Sequence, residues 1–559
     1  MPKLLFEPGD ENLAYEDVTL RPYNSYEDRV RDLAATGQWE SVGALRRQAS
    51  VSEDLIDVKL DDKAALARLQ EAALNSAAKY RRALKVLGDE LGVPDSLSRD
   101  DVDFRPPDGY GNTPIAISNM NKVTGKRQAE AAARMGANAV LPQDLTDKQM
   151  RGISKFLHSR NPDYETAVWS KGNARLGQIQ HWAQKRGARA VAVVGKKKKY
   201  KGVVNLDEVP GGINEDERAS GLMRTDWPTA GTDTSVREAT EIMDHRRLSM
   251  LPVVDDEGRL EGAFTKNTPM RLRYQPHIHP ETGGLAMTAA IGAFNNDPVE
   301  RAKLLIDLNV RGIVLDAAHI DNGMIAYDNI EKVRDLIEQR AKSLVTLIVG
   351  NVVTKEGTKN ILASGADIVK VGLGPGAMCS TRIMSGVGVP QFSAVMECAA
   401  EARKYGKHVW ADGGIEHPRD AALALAAGAS QVMLGTEFTA THESPPRWQT
   451  RDDGRSYIES AGMASRMEAT LRANGGRGEE SDAQMFRRIV GRRSEGVSGV
   501  PIFPKEGRMS AADIIHHYVD GITSSVTYSG AMTIDEMYRF ARIVLQRPSG
   551  YAEGKPMQI

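Results

Sequence analysis

A cysteine on a glycine-rich turn is the residue with the clearest chemical potential in this sequence. Cys379 is one of two cysteines, and it follows the apolar run IVKVGL at 368–373 and the turn GPG at 374–376. The run predicts a buried parallel strand, and the glycines allow close backbone approach. A thiol just past such a strand suits a nucleophile, and the nearby Thr381 hydroxyl could bond to whatever it attacks. The second cysteine, Cys398, lies in the apolar helix FSAVMECAAEA and is predicted to pack in the core.

Two further glycine turns have the composition of phosphate-binding loops. The sequences DGGI at 412–415 and LGT at 434–436 each follow an apolar run. Paired glycines leave backbone N–H groups accessible, and a following helix N-terminus adds its positive dipole end. A single Asp-Gly-Gly is most simply an ordinary turn, but next to the cysteine loop it favours a nucleoside monophosphate site. The substrate-binding candidates in these turns are Asp412, Gly413, Gly414, Gly435 and Thr436, and Gly376 of the cysteine loop joins them.

Alternating strand and helix patterns supply a scaffold that can bring these turns together. Eight apolar segments are predicted strands, and helical periodicity follows nearly all of them. The alternation predicts an α/β fold, a (β/α)8 TIM barrel, in which functional residues collect at the carboxyl ends of strands. An open doubly wound sheet is the alternative, and the phosphate-loop candidates after the last two strands favour closure. Met120, Asp316 and Asn351 lie at the ends of the first, fourth and fifth predicted strands, and they are therefore candidate site residues. The predicted strands are 114–119, 138–143, 285–292, 311–318, 344–351, 367–374, 408–414 and 431–438.

Two stretches interrupt this alternation. Residues 160–273 contain a strand–turn–strand unit and a weaker copy before it, which predicts a separate domain built from two similar halves. Residues 25–101 include an Ala/Leu-rich segment with helical spacing, which predicts an extra N-terminal helical insertion. We therefore expect the barrel to be formed by 1–159 and 274–559, with 160–273 inserted between its two parts.

Composition sets broad limits on partners and environment. The chain has 559 residues, enough for two or more domains, and its formal net charge of -1 gives no global attraction to nucleic acid or to an anionic membrane. Two cysteines cannot form a disulfide framework. No run reaches the roughly eighteen apolar residues of a spanning helix, and no signal-peptide pattern is present. These features predict a cytoplasmic protein without nucleic-acid or membrane partners.

The cysteine segment resembles that of a known family. GLGPGAMCSTR at 372–382, followed by GVGVPQFSAV at 386–395, is closely similar to the catalytic-cysteine loop of the inosine monophosphate (IMP) dehydrogenase and guanosine monophosphate (GMP) reductase family. The resemblance implies a TIM barrel with a tandem CBS domain at 160–273 that often binds regulatory nucleotides, here ATP or GTP. It also implies a homotetramer built through the barrels, or an octamer built through the CBS pairs.

The same resemblance implies roles for individual residues. Cys379 would bond to purine C2 of GMP or IMP, while Asp412 accepts hydrogen bonds from the ribose. Asp316 and Asn351 would lie on the side of the nicotinamide cofactor. The segment SAGMASRM, with Met463 and Ala464, resembles the family's contact to the purine.

A monovalent-cation site is also implied. In the family it is formed by carbonyls of the cysteine loop, which correspond here to Gly374, Gly376 and Cys379, and its ion would be potassium (K+). A neighbouring subunit's Glu-Gly usually completes it, and 553–554 is the candidate pair.

The two family reactions differ in the steps after attack by the cysteine. Dehydrogenases hydrolyse the adduct with an Arg-Tyr pair on a flap, and no such pair occurs in the corresponding residues 457–495. Glu495, before GVSG, matches the carboxylate that partners the threonine, Thr381, in reductases. Asn119 before Met120 also resembles reductases. We therefore expect NADPH-dependent reductive deamination of GMP to IMP and ammonia, with IMP dehydrogenase and a non-catalytic purine-nucleotide sensor as alternatives.

Overall fold

The structure, a computed structural model, describes most of the chain. The described residues between 104 and 521, together with 13–15, form one compact unit, and those within 3–4, 16–21, 98–103 and 522–554 form another. The residues covered are 3–4, 13–21, 98–294, 298–321, 323–341, 344–446, 448–462, 465, 496, 498–505, 507, 509–546 and 548–554. The predicted N-terminal helical insertion therefore lies almost wholly outside the described residues.

Eight parallel strands close into a barrel, which confirms the predicted α/β fold. Each strand pairs with the next in sequence, and the last pairs with the first. The register is continuous along long stretches, for example from Thr288↔Gly312 to Gly292↔Asp316. The strands are β1 (Ile115–Ile117), β2 (Asn138–Leu141), β3 (Thr288–Gly292), β4 (Gly312–Asp316), β5 (Thr346–Val352), β6 (Ile368–Val371), β7 (His408–Asp412) and β8 (Gln431–Leu434).

Helices follow these strands as the sequence patterns predict. Threonine side chains cap two of them, and Thr146 forms a capping box with Gln149 at the start of the second. The helices are α1 (Lys126–Arg134), α2 (Asp147–His158), α3 (Pro298–Asp307), α4 (Met324–Ala341), α5 (Lys355–Ala363), α6 (Gln391–Arg403), α7 (Pro418–Ala426) and α8 (Ala511–Tyr528). Two short helices, Thr381–Ser385 and Thr436–Thr439, lie directly beyond the cysteine loop and β8.

The barrel interior is packed with side chains. Each of the eight strands contributes one buried residue to a single cluster, and Tyr110, which precedes β1 in sequence, joins it. The largest member, Trp410 on β7, is fully buried and donates its indole N–H to Asp108 at 2.9 Å. The barrel is therefore a solid core, and any site must be built at the ends of its strands.

The region 160–273 contains two successive groups of helix and strands. The first half has helix Leu176–Arg186 and strands Trp169–Lys171, Ala190–Val194 and Tyr200–Asn205. The second half has helix Val236–Arg246 and strands Met250–Val254 and Leu260–Thr265. Helices, paired strands and the bulge in each hairpin recur with the same offset of 60 residues.

The remaining elements are short. Lys3–Leu4, Arg542–Leu545 and Val18–Arg21 form a three-stranded sheet in the other unit, where helices Ile534–Phe540 and Pro548–Glu553 also lie. Gln449–Thr450, Ser456–Ala461 and Ser498–Ile502 form an antiparallel sheet after the barrel. Among the described residues, no helix combines the length and the apolar character needed to cross a membrane.

Candidate active site

Four neighbouring strands place polar side chains at one end of the barrel. Asp316 ends β4, Asn351 lies near the end of β5 and Asp412 ends β7. Between them, on β6, Lys370 points its ammonium group at all three. Its Nζ lies 2.8 Å from Asp316 Oδ1 and 2.6 Å from Asp412 Oδ2, and it also donates to Asn351 Oδ1. Three residues predicted to act on ribose and cofactor are thus joined by one cation.

Lys370 is a member of the site that the sequence patterns do not single out. Its side chain is 2% exposed, and an unpaired ammonium would be very costly at such a position. Burial alone would lower the pKa of Lys370, but the charges of Asp316 and Asp412 outweigh it and raise that pKa above its ordinary value. The ammonium therefore stays charged at neutral pH and holds both carboxylates in place.

The same network extends to the first strand. Asn119, just beyond β1, donates through Nδ2 to Asp316 Oδ2 at 3.0 Å. Asn351 Nδ2 donates to the Gly372 carbonyl at 2.7 Å and to Asp412 Oδ2 at 3.0 Å, so both of its amide hydrogens are engaged within the protein. Asp316 keeps acceptor capacity beyond these two partners, because a carboxylate offers about four lone-pair positions.

The cysteine loop starts directly after β6. The Cys379 N–H donates to the Gly376 carbonyl at 2.9 Å, which folds the loop into a tight turn. The Cys379 thiol donates to Thr381 Oγ1 at 3.2 Å. Cys379 is partly exposed, whereas Thr381 is 7% exposed at the first position of its short helix. The two residues predicted to act together on the substrate are therefore in contact.

The glycine pair after β7 packs against this loop. Gly413 and Gly414 have φ angles of 86° and 74°, in the left-handed region that favours glycine. A Cβ on Gly413 would lie 3.2 Å from Pro375 Cγ and 3.3 Å from the Gly376 nitrogen, and one on Gly414 would lie 3.1 Å from Pro375 Cβ. The predicted phosphate loop at 412–415 therefore lies directly against the cysteine loop.

The turn after β8 meets the end of β1. A Cβ on Gly435 would lie 2.9 Å from Ser118 Oγ and 3.2 Å from Met120 Sδ. Gly435 precedes the short helix that begins at Thr436. Because Asn119 joins this end of β1 to Asp316, the predicted residues Met120, Gly435 and Thr436 lie on the same rim as the carboxylate network.

The antiparallel sheet after the barrel approaches the cysteine loop. A Cβ on Gly462 would lie 2.4 Å from the Met378 carbonyl oxygen, and Gly496 forms an isolated bridge with Cys379. These two glycines flank the segments expected to contact the purine and the departing group. Met463, Ala464 and Glu495 themselves lie outside the described residues.

The loop carbonyls expected to hold a cation, and the second cysteine, both lie among the described residues. The Gly376 carbonyl accepts one hydrogen bond from Cys379 and keeps a second lone pair, so the loop can still offer carbonyl ligands to a monovalent ion. Within the described ranges, no group of three or more His, Cys, Asp or Glu is arranged as a metal site. Cys398 is buried in α6, and burial raises its pKa to about 12, as expected of a core thiol.

Comparisons with known proteins agree with this geometry. The family model described as "IMP dehydrogenase / GMP reductase domain" matches residues 110–557. A GMP reductase of Mycobacterium tuberculosis is 37% identical over 461 residues, which cover 82% of this chain and 93% of that protein. An inosine-5'-monophosphate dehydrogenase of Methanocaldococcus jannaschii is 32% identical over 452 residues, covering 80% and 89% of the two chains.

A solved structure shares the fold. The GMP reductase of Trypanosoma brucei in complex with guanosine 5'-monophosphate matches with a TM-score of 0.57 and 23% identity, over 98% of both chains.

Proposed function

Because this chain belongs to the IMP dehydrogenase/GMP reductase family and is an oxidoreductase, we propose that it is a GMP reductase that converts GMP and NADPH to IMP, ammonia and NADP+. The observation that carries the proposal is the contact of Cys379 Sγ with Thr381 Oγ1 at 3.2 Å, at the mouth of the barrel. The 37% identity to a mycobacterial GMP reductase and the absence of an Arg-Tyr pair from the sequence at 457–495 favour the reductase over the dehydrogenase.

The chemistry assigned to the protein begins at the thiol. The Cys379 sulfur bonds to C2 of GMP, and the bond from C2 to the exocyclic amine breaks. The leaving amine takes a proton and departs as ammonia, and the Thr381 hydroxyl relays protons between it and Glu495. NADPH, when bound, supplies the hydride that reduces C2. The C2–S bond then breaks, which releases IMP and returns the thiol.

Binding is assigned to the rim of the barrel. Asp412 accepts the ribose hydroxyls, and the backbone N–H groups of the turns at 413–414, 376 and 435–436 receive the phosphate. Met120, Met463 and Ala464 contact the purine. Asp316 and Asn351 face the nicotinamide. Asp316 can accept further hydrogen bonds, and Asn351 fixes the adjacent part of the site through its own hydrogen bonds. Potassium binds to the carbonyls of Gly374, Gly376 and Cys379.

The proposal extends to assembly and regulation. The repeat at 160–273 is assigned as a tandem CBS domain that binds ATP or GTP. The chain is assigned as a homotetramer or octamer, a state supported by apolar side chains that stay exposed beside the cysteine loop. Ile383 is 88% exposed, and Met384 and Val387 are 59% and 55% exposed.

The deciding experiment monitors absorbance at 340 nm in two reactions, GMP with NADPH and IMP with NAD. We expect absorbance to fall in the first and to stay constant in the second. A rise in the second without a fall in the first would mean that the chain is the dehydrogenase. The Cys379→Ala variant should lose turnover while still binding GMP, and unchanged turnover in that variant would refute the covalent step.

Two threonine variants test the proposed relay. Thr381→Val removes the hydroxyl at nearly constant volume, and it should lower kcat by about 100-fold or more. Thr381→Ser keeps the hydroxyl and should stay much closer to the parent enzyme. Equal effects of the two substitutions would mean that Thr381 acts through packing and not through its oxygen.

A further inference from the structure

The cysteine loop connects β6 to α6 through irregular chain that contains one short helix. Leu373 lies two residues beyond the end of β6, and Val389 lies two residues before the start of α6. Between them the chain carries Cys379 and then the helix Thr381–Ser385. A loop of this length has many accessible conformations, and contacts that join its two ends are needed to hold one of them.

Arg382 makes such contacts from within the loop. Its Nε donates to the Leu373 carbonyl oxygen at 2.9 Å, and its Nη2 donates to the Val389 carbonyl oxygen. One guanidinium group therefore joins the first residues beyond β6 to the last residues before α6. Because the group is planar and its donors have fixed directions, it sets the orientation of the two ends as well as their separation.

Two glycines leave room for the aliphatic part of this side chain. A Cβ on Gly374 would lie 2.7 Å from Arg382 Cγ, and one on Gly388 would lie 2.7 Å from Cγ and 2.6 Å from Nε. These distances are well below ordinary van der Waals contact, so a side chain at either position would displace the arginine. The glycines on both sides of the thiol thus have a steric role that is separate from phosphate or cation binding.

The direction of Arg382 is the reverse of ordinary burial. Arg382 is half-buried, whereas the next two residues of the helix, Ile383 and Met384, are 88% and 59% exposed. Arginine is usually among the more exposed residues of a protein, and isoleucine is among the most buried. Since this helix turns its cation inwards and its apolar side chains outwards, its position is set by the contacts of the cation.

We propose that Arg382 is a positioning residue that holds the Cys379 thiol and the Thr381 hydroxyl in contact. Thr381 directly precedes Arg382 at the start of the short helix, and its Oγ1 accepts a hydrogen bond from the thiol at 3.2 Å. Anchoring the helix through Arg382 therefore sets the place of that hydroxyl relative to the sulfur. This role rests on the proposed function of Cys379 as the nucleophile. Arg382 contacts loop carbonyls, so GMP binding at Asp412 and Gly435 does not need it directly.

The test compares Arg382→Ala and Arg382→Lys with the parent enzyme, each as the full chain. In Arg382→Ala we expect kcat for GMP to fall by about 100-fold, because a displacement of about 1 Å between reacting groups can cost that much. The Kd of GMP, measured by isothermal titration without NADPH, should change by less than about tenfold. Arg382→Lys cannot reproduce the fork of donors and should recover only part of kcat. A lysine variant as active as the parent would overturn the proposal.

Alkylation of the thiol provides a second readout. Cys379 is partly exposed and Cys398 is buried, so iodoacetamide labels Cys379 in the folded chain. Without Arg382 the two ends of the loop separate more easily, and the labelling rate should rise by about threefold or more. An unchanged or lower rate would overturn the proposal. Labelling does not require turnover, so a parent chain without GMP reductase activity would refute the proposed function while this rate still decides the role of Arg382.

Arg334→Ala is the matched control. Arg334 Nε also donates to a backbone carbonyl, that of Gly365 at 2.6 Å, but Gly365 precedes β6 and lies at the end of that strand away from the cysteine loop. We expect its loss to lower the urea midpoint and to leave kcat and the labelling rate within about twofold of the parent. Equal labelling of Arg334→Ala and Arg382→Ala would overturn the proposal, because general loosening of the barrel would explain both. If circular dichroism shows that Arg382→Ala does not fold, Arg382→Lys is compared in its place, and an unchanged labelling rate there overturns the proposal.

Discussion

At the scale of single residues, the ammonium group of Lys370 organises the mouth of the barrel. It contacts side chains from β4, β5 and β7, each of which carries a residue assigned to substrate or cofactor. Removing the cation would leave Asp316 and Asp412 facing each other across its empty position, and breaking a buried ion pair in this way costs about 3–5 kcal/mol. Lys370 is a positioning residue, because its Nζ contacts other side chains of the site.

Substitution of Lys370 separates positioning from general stability. Lys370→Met should lower kcat/KM for GMP by about 100-fold or more, because the carboxylates of Asp412 and Asp316, which we propose to face ribose and cofactor, lose their common partner. Lys370→Arg keeps the charge and should recover part of this loss in steady-state assays. If the two variants unfold at the same denaturant concentration and are equally inactive, the charge of Lys370 does not explain its effect.

At the scale of elements, the antiparallel sheet after the barrel is fitted closely to the cysteine loop. Gly462 follows strand Ser456–Ala461, and there is no space for a side chain between it and the Met378 carbonyl. A methyl group at this position must displace either the strand or the loop. The contact therefore fixes the position of the cysteine loop relative to strand Ser456–Ala461.

Gly462→Ala is expected to lower turnover with little effect on secondary structure. A Cβ would lie 2.4 Å from the Met378 oxygen, so either the strand or the loop that carries Cys379 must shift. Small displacements of reacting groups reduce rates strongly. Gly211→Ala is the control, because a Cβ there meets no atom within 4 Å. Steady-state kinetics and circular dichroism of both variants provide the measurement, and equal turnover in the two would contradict the expectation.

Helix α1 is joined to the repeat domain through Glu130. Its Oε1 accepts from Thr166 Oγ1 at 2.6 Å, in addition to the two arginine contacts. Burial would raise the pKa of Glu130, but Arg134 and Arg127 outweigh it and lower that pKa from 4.5 to about 2. A lowered carboxyl pKa stabilises the fold above the unfolded-state value, and this contribution is lost as pH falls from about 4.5 towards 2.

Glu130→Gln should therefore destabilise the protein in a pH-dependent way. The pKa difference corresponds to about 3 kcal/mol of unfolding free energy at pH 7, and the gap between parent and variant should shrink to less than half of this at about pH 3. Urea unfolding of both proteins across this range is the measurement. A gap that does not change with pH would show that the ionised carboxylate is not what stabilises the contact.

The sequence predicts the elements better than it predicts the contacts between them. Apolar runs with helices behind them predict all eight strands, and the glycine turns indicate which strand ends to propose as the site. The role of Lys370 cannot be predicted from the sequence, because a lysine within IVKVGL does not indicate that two carboxylates flank it. Asp316 and Asp412 lie 54 and 42 positions away in sequence, and only the side-by-side pairing of strands β4 to β7 brings them to Lys370.

At the scale of the whole molecule, the two chain segments that connect the barrel to the repeat domain lie next to each other. Arg271 Nη1 donates to the Pro162 carbonyl at 3.3 Å, so the segment between them leaves and re-enters the barrel at nearly one point. The described residues assigned to the active site all lie outside 163–270. Deletion of the repeat domain would therefore remove none of the described residues assigned to the active site.

Replacing residues 163–270 by a short glycine-serine linker should preserve turnover of GMP to within an order of magnitude, because the linker needs to span only a short gap. Any effect of ATP or GTP on the rate should disappear. The 340 nm assay and circular dichroism of the shortened chain provide the measurement. Loss of turnover in a chain that keeps its helical content would show that the active site depends on the repeat domain.

The constant spacing within the repeat means that corresponding elements of its two halves have equal lengths. Ala190–Asn205 and Met250–Thr265 have equal numbers of residues, equal pairing and a bulge at the same place, and the helices before them end at the same distance. A hairpin can be exchanged between the halves residue for residue, with no loop to trim or extend. Chimaeras of the two halves can therefore be made by exchanging sequence alone, and a binding property that moves with one hairpin can be assigned to that half.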